Sequence, residues 1–275
     1  MRFSDIDWNL LWQEARQKKA WRKKTRADWD RKAPGFARRN SDSPFIKRLL
    51  ELMQPQSHWS VLDVGSGPGT LALPLARLVR RVTALDYSEV MVEELHKAAS
   101  RKGITNIDTG VVSWTDDWLE AGIRQHDIAI SSRSLSVFDL ESALWKLNNW
   151  AKEKVFVVDR VGSGPFDPDL FKAVGREFEP GPDYIFTVNL LYRMGINAGV
   201  DFIELDYTKR FSSRQEAVDS CRWMLEPLSG EEEKKLHDYV DTGLIRVEDG
   251  SLLLHRRQPV KWAFLSWDKQ AAAST

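Results

Sequence analysis

Three glycines and two carboxylates carry the chemistry that can be read from this chain. The glycines stand two residues apart in Asp63-Val64-Gly65-Ser66-Gly67-Pro68-Gly69. A β-branched apolar run, Val61-Leu62, comes before them, and a periodic apolar segment, Leu71, Leu73, Leu75, Ala76, Leu78 and Val79, comes after. That pattern predicts a buried strand, a tight turn and a helix. Glycines at such a turn allow positive φ and let a ligand approach the backbone closely. The helix N-terminus behind the turn is expected to offer free N–H groups and a positive dipole end. The second carboxylate closes Arg81-Val82-Thr83-Ala84-Leu85-Asp86, which reads as another strand. An acid at that tip is placed to accept both hydroxyls of a ribose. These features suit a nucleoside-type ligand.

The dinucleotide-binding fingerprint needs its third glycine three residues after the second. Here it comes two residues after, and Asp63 sits two residues before the first. The order Asp-x-Gly-x-Gly-x-Gly, followed by Leu85-Asp86, resembles the class I (Rossmann-like) S-adenosylmethionine-dependent methyltransferases. The resemblance is firm over residues 58–160 and weaker in the C-terminal third. It implies an α/β fold: a doubly wound, mostly parallel seven-stranded sheet with an antiparallel last strand. It implies S-adenosylmethionine as cofactor, S-adenosylhomocysteine as product and direct in-line methyl transfer. On that resemblance Gly65, Ser66, Gly67 and Gly69 shape the turn around the methionine and ribose. Asp63 takes the ammonium, directly or through water, and Asp86 holds the ribose. Tyr87 and Trp114 flank the adenine, and Ser113 and Ser131 complete the cofactor set. In the family the tip of the third strand often carries an acid for the adenine amino group. Ser113 stands in that acid's place here, with Asp116 one turn later.

The elements that must position these groups follow in order. Residues 1–43 hold 12 Lys/Arg against 6 Asp/Glu. Trp8, Leu11, Trp12 and Ala15 fall on one face of a helix. Trp21 and Trp29 continue the aromatic content. One reading is an amphipathic helix packed on the domain; the other is a basic, aromatic arm for RNA. Trp29-x-x-x-Ala33-x-x-Phe36 also resembles the N-terminal helix that lids cofactor and substrate in many small-molecule methyltransferases, and Pro34-Gly35 is expected to break or kink it. Residues 1–57 are therefore read as a helical lid and 58–275 as the methyltransferase domain.

Further strands are expected over 106–112, 125–132, 154–159, 201–210 and 262–267, and helices over 88–102, 140–150, 213–225 and 230–240. Residues 162–199 read as a helical cap insertion, with helices over 169–178 and 183–194. Strand 201–210 and the last strand are expected to pair as an antiparallel hairpin, and Asp249-Gly250 marks a further turn. Ligands of doubly wound sheets bind outside the carboxyl ends of the strands. Arg133, in the turn Ser131-Ser132-Arg133-Ser134, is the charged group expected at that mouth, suited to a substrate carboxylate or phosphate. Tyr184 and Tyr192 are the other substrate-site candidates. An Asn-Pro-Pro-aromatic sequence here would mark methylation of exocyclic base amines; it is absent, which counts against that chemistry.

Composition bounds the rest. Charges cancel, 40 against 40, so no global field points to nucleic acid. Cys221 is the one cysteine, which excludes an internal disulfide and fits a reducing compartment. No apolar run approaches the roughly 18 residues of a membrane span, and Met1-Arg2-Phe3-Ser4-Asp5 lacks a signal peptide's apolar stretch. A soluble cytoplasmic protein is expected, with no membrane partner. His58, His96, His126, His237 and His255 are scattered without metal-ligand spacing, so no metal is expected. The acceptor expected is a small molecule. RNA or protein as acceptor, and a non-catalytic S-adenosylmethionine-binding module, are the alternatives.

Overall fold

Three helices precede the first strand: α1 (Trp8–Lys18), α2 (Arg26–Arg39) and α3 (Pro44–Met53). Strands β1 (Ser60–Val64), β2 (Arg81–Asp86), β3 (Ile107–Val111), β4 (His126–Ser132) and β5 (Ala151–Arg160) then alternate with helices α4 (Ala72–Ala76), α5 (Glu89–Arg101) and α6 (Leu140–Trp150). Beyond β5 come α7 (Pro168–Ala173), α8 (Tyr184–Arg193), β6 (Gly199–Leu205) and β7 (Thr208–Phe211). The chain ends with α9 (Arg214–Arg222), α10 (Gly230–Gly243), β8 (Leu244–Arg246), β9 (Leu252–His255) and β10 (Val260–Asp268). This computed structural model describes residues 2–19, 25–39, 43–206 and 208–269. Trp21, Tyr207 and the tail 270–275 lie outside the described residues.

The main sheet has seven strands in the order β3-β2-β1-β4-β5-β10-β6. The five strands β3 to β5 pair in parallel, and β10 runs antiparallel to both β5 and β6. This is the Rossmann-like sheet expected from the sequence. Strand order reverses at β1, with β2 on one side and β4 on the other, so a crevice opens above the β1 tip.

Apolar runs such as Val155-Phe156-Val157-Val158 are buried on both faces of the sheet, as parallel strands between helix layers require. Phe45, Leu49, Leu75 and Leu95, from α3, α4 and α5, pack with Ile128, Phe156 and Phe264 on one face. Trp12, Leu144, Leu147, Leu190 and Leu191, from α1, α6 and α8, pack with Leu62 and Val157 on the other.

Five expectations are corrected. The strand expected over 201–210 is two strands in two sheets. Asp206 interrupts it, its side chain accepting from the Thr208 N–H at 3.0 Å, and β7 leaves to join a three-stranded antiparallel sheet, β7-β9-β8. That sheet, with α7, α9 and α10, surrounds a third core around Phe171, Leu225, Leu236 and Val240. β6 and β10 therefore pair antiparallel but form no hairpin, because the small sheet lies between them in the chain. The two helices of 162–199 also part company: α7 joins this third core and α8 packs against the main sheet. Finally, α2 runs through Pro34-Gly35 without ending, and Leu11 lies 39% exposed while Trp12 is buried. The inward stripe of α1 is Trp8, Trp12 and Ala15.

Phe156 stacks on Phe264 at 5.4 Å between ring centroids and lies against Trp59 at 6.4 Å. Removing a buried phenyl ring costs its transfer energy plus that of the cavity left behind. Phe156→Ala is expected to lower unfolding stability by about 3–5 kcal/mol in urea. A loss under about 1 kcal/mol would contradict this packing.

Candidate functional site

The β1 tip holds the crevice in place. Gly65, Gly67 and Gly69 have φ of 75°, 55° and 85°, values that favour glycine. They differ in surroundings. A side chain at Gly65 would overlap Ser134, and one at Gly69 would overlap Leu95. One at Gly67 would meet nothing within 4 Å, so this glycine faces open space and leaves its backbone bare to a ligand.

The backbone donors of the turn are already bonded. The Gly65 and Ser66 N–H groups donate to the Leu85 carbonyl at 2.8 and 2.9 Å, and Gly69 donates to the Ser66 carbonyl at 3.2 Å. Gly67 donates to Asp86 Oδ2 at 2.8 Å. α4 is only 5 residues long and has no side-chain cap. The donors of the glycine turn itself are therefore taken, while no side chain caps the start of α4. What the turn offers a ligand is the open face of Gly67 and two carboxylates.

Both carboxylates are buried, Asp63 1% and Asp86 7% exposed. Asp63 Oδ2 has no hydrogen-bond partner. Burial, and then the charge of Asp86, push the Asp63 carboxyl up to about 7. An orphaned buried carboxylate oxygen is a rare feature that calls for a ligand. Asp86 Oδ1 accepts from the Ser88 N–H at 2.9 Å, so each Asp86 oxygen holds one backbone donor and keeps lone-pair capacity for another. Burial raises its pKa, and the hydrogen bonds from Ser88 and Gly67 oppose the rise.

Next to it, Tyr87 is 36% exposed. Its phenol is pushed up to about 12 by burial and by Asp86 and Asp30. Asp30 reaches this place from α2, where it accepts from the Ser88 hydroxyl. These residues fit S-adenosylmethionine, whose ammonium and ribose hydroxyls call for the oxygens that Asp63 and Asp86 leave open.

The tip beyond β3 is built by residues that spacing did not reveal. The Ser113 N–H donates to Asp116 Oδ2 at 2.8 Å, which occupies that carboxylate locally. Trp114 is half-buried and leans on Trp118, with centroids 5.6 Å apart. Trp118 Nε1 donates to the Ser113 carbonyl at 2.9 Å, and Lys146 Nζ donates to the Trp114 carbonyl at 2.8 Å. Trp118 and Lys146 thus set the backbone at Ser113 and Trp114.

The β4 tip touches the glycine turn directly. The Ser131 hydroxyl lies 2.7 Å from that of Ser134, which donates to the Val64 carbonyl at 2.6 Å. Ser131 is fully buried, so it supports the turn from beneath. Arg133, between these serines, has φ +59° and its guanidinium lies 4.0 Å over the Phe45 ring.

The other two substrate candidates separate. Tyr184 begins α8 and packs edge-on against Phe202 at 5.6 Å. Tyr192 lies eight residues on, about 12 Å along the helix, and packs against Phe3 on the outer surface. The structure does not bring Tyr192 to Arg133.

The N-terminal helices flank the crevice. Trp12 Nε1 donates to the Val137 carbonyl at 3.0 Å, and Arg16 Nη2 to the Ser136 carbonyl at 3.1 Å. Asn9 Oδ1 accepts from the Leu140 N–H at 2.9 Å. α1 is thus bonded to the β4–α6 connection, while α2 lies against α5 through Asp30 and Ser88. Among the described residues no group of three or more His, Cys, Asp or Glu is arranged to hold a metal, and no helix is long and apolar enough to cross a membrane.

Comparison with known proteins bears on this geometry. Residues 61–154 match the family model described as "Methyltransferase domain". An uncharacterized protein of Haemophilus influenzae is 33% identical over 243 residues, 87% of this chain and 88% of that one. The aklanonic acid methyltransferase of Streptomyces sp. strain C5 is 29% identical over 141 residues, covering 50% of this chain and 60% of that one. In fold, the chain is similar to a Bacillus halodurans crystal structure provisionally named a methyltransferase, at TM-score 0.55, 15% identity, 82% of this chain and 99% of that one. Glycine turn, paired acids, sheet order and relatives agree: this chain belongs to the class I S-adenosylmethionine-dependent methyltransferases, with S-adenosylmethionine as its cofactor.

Proposed function

We propose that the methyl acceptor is a small molecule, reached through the crevice between the β1, β2 and β4 tips. The observation that carries this reading is the seating of α1. Trp12 is buried and bonded to Val137, Trp8 is half-buried, and Arg16 is bonded to Ser136. Rings turned inward are not available to stack on bases, which favours the packed-helix reading of α1 over an arm that stacks on RNA. The crevice is instead narrowed from both sides, by α1 on the β4–α6 connection and α2 on α5. In this reading residues 1–57 act as the lid, and 162–199 contributes to the roof through α8. Of the relatives named for an acceptor, the aklanonic acid methyltransferase covers 50% of this chain, and those named for ribosomal RNA cover 22–33%. A cytoplasmic setting is consistent with Cys221, which is free and buried.

Bound S-adenosylmethionine supplies a methyl carbon already activated by a sulfonium. The protein's task is then to hold and orient. In-line positioning of a nucleophile is worth about 7–11 kcal/mol of barrier. Asp63 would hold the ammonium, Asp86 the ribose hydroxyls, and the bare face of Gly67 would let the ligand lie against the turn. Tyr87 and Trp114 would border the adenine. Two acids in one buried crevice repel each other, and a cationic ligand relieves that repulsion.

Three measurements test this. With its carboxyl at about 7, Asp63 is charged above that pH and must lose a proton to take an ammonium below it. S-adenosylhomocysteine affinity is therefore expected to rise about tenfold from pH 6 to pH 8, and Asp63→Asn to flatten the dependence; an equal slope in the variant removes the ammonium role. Asp86→Ala is expected to weaken the same ligand more than tenfold by calorimetry, since charge-assisted hydrogen bonds of about 1.5–3 kcal/mol each are lost. Unchanged affinity removes the ribose role. Labelled methyl from S-adenosylmethionine is expected in the small-molecule fraction of a cell extract. Label confined to RNA or protein overturns the acceptor class, and no label at all points to a non-catalytic binding module.

A further inference from the structure

Arg133 is the most unusual residue at the mouth. Its φ of +59° is a left-handed conformation, which is strained for a non-glycine residue and persists where the surroundings enforce it. Gln54, the other described non-glycine residue with positive φ, simply ends α3. Arg133 is enforced from both sides. Its N–H donates to the Val158 carbonyl at 2.9 Å, and the next residue, Ser134, is wedged against Gly65 and bonded to Val64. The turn that carries Arg133 is therefore part of the cofactor crevice wall.

The guanidinium is both accessible and deeply set. It keeps contact with solvent, yet protein surrounds it closely enough that desolvation pulls its pKa down to about 10. It is still charged at neutral pH. Two rings locate it: the guanidinium carbon lies 4.0 Å from the Phe45 centroid and 5.6 Å from that of Trp262. Such contacts hold a guanidinium by one face and leave its N–H edges free. No carboxylate or carbonyl oxygen among the described residues takes a hydrogen bond or ion pair from it.

The half-buried arginines of α1 and β5 differ. Arg160 donates to the Pro180 carbonyl at 3.1 Å and also to the Pro182 carbonyl, and Arg16 donates to the Ser136 carbonyl. The five N–H donors of Arg133 are therefore open to solvent or to a ligand.

We propose that Arg133 receives a carboxylate of the methyl acceptor, through paired N–H···O bonds from its ring-stacked guanidinium. This rests on the small-molecule reading and names the acceptor class within it. A singly charged carboxylate matches one open cation. A dianionic phosphate calls for more positive charge, and Asp63 and Asp86 already make the crevice acidic.

The full chain saturated with S-adenosylhomocysteine is titrated with benzoate, benzamide and inorganic phosphate by calorimetry. Benzoate is the simplest flat carboxylate, and benzamide is its neutral match. Benzoate is expected to bind at least tenfold more tightly than benzamide or phosphate. Arg133→Asn tolerates the left-handed backbone; it is expected to lose benzoate binding at least tenfold and keep S-adenosylhomocysteine affinity within twofold. Arg133→Lys, with charge but no fork, is expected to fall between. Benzoate binding that survives in Arg133→Asn, or phosphate binding as tightly as benzoate, overturns the proposal. So does absence of benzoate binding to the natural protein. A tenfold loss of S-adenosylhomocysteine affinity in Arg133→Asn also overturns it, by assigning the guanidinium to the cofactor's own carboxylate. Benzoate binding without any S-adenosylhomocysteine binding would instead sink the cofactor assignment and leave the carboxylate site standing.

Discussion

The contact between Gly65 and Ser134 is the constraint on which the crevice depends. No side chain fits at residue 65, because the β4 tip closes on the β1 tip there. Through that contact the two halves of the sheet meet at the point where strand order reverses. On one side, Gly65 and Ser66 are tied to Leu85 of β2. On the other, Ser134 is tied to Val64 and Ser131. With β1 held between them, Asp63 and Asp86 are carried to neighbouring strand tips and buried together. Their mutual repulsion is then a consequence of topology. Such a pair favours a cationic ligand over an anionic one.

The N-terminal segment extends the same logic. α1 and α2 belong to opposite faces of the sheet, and each is fastened to an element that borders the crevice. Asn9 bonds both ends of the α6 start, accepting from Leu140 and donating to Asp139 at 3.1 Å. Trp12 and Arg16 bond the carbonyls just before it. Asp30 bonds Ser88, the cap of α5. Polar side chains thus fasten this segment to helix starts, where backbone groups otherwise lack partners. Docking of the segment and definition of the crevice walls are one event.

What could be read in advance follows from how local the information is. The strand, turn and helix around Asp63 and the acid at Asp86 are written in neighbouring residues, and the structure keeps them. That the turn's own N–H groups are bonded was not legible, because their acceptors, Leu85 and Asp86, lie in another strand. Arg133 was legible as a charge at the mouth. Its ring partners were not, since Phe45 and Trp262 come from opposite ends of the chain. Trp118 and Lys146 support Trp114 through backbone carbonyls, which no side-chain pattern reports. The alternation over 201–210 was real but continued across a change of sheet, where Asp206 turns the chain. Pro34-Gly35 was read as a break, yet local propensity is overridden when a helix packs against a partner.

The two sides of the crevice are also built differently, which bears on how specificity is held. The methyltransferase family match covers residues 61–154 and stops at the middle of β5. Beyond it, the insertion over 162–199 is organised by the last two residues of that strand. Asp159, fully enclosed, accepts from the Thr187 hydroxyl at 2.8 Å and so fixes α8. Arg160 gathers the carbonyls of Pro180 and Pro182, and Asp183 in turn accepts from the Gly162 N–H at 2.9 Å. Burial raises the Asp159 pKa, and its bonds from Arg160 and Thr187 oppose the rise, so it depends on the segment it organises. The insertion is joined to the sheet by directed polar bonds at one strand end, together with the apolar face of α8. Bonds of that kind specify a geometry without demanding a particular sequence in between. The cofactor side cannot vary in this way, because Gly65 admits no side chain and Asp63 no longer reach. Residues beyond Arg160 can therefore change while the glycine turn and its two carboxylates stay as they are.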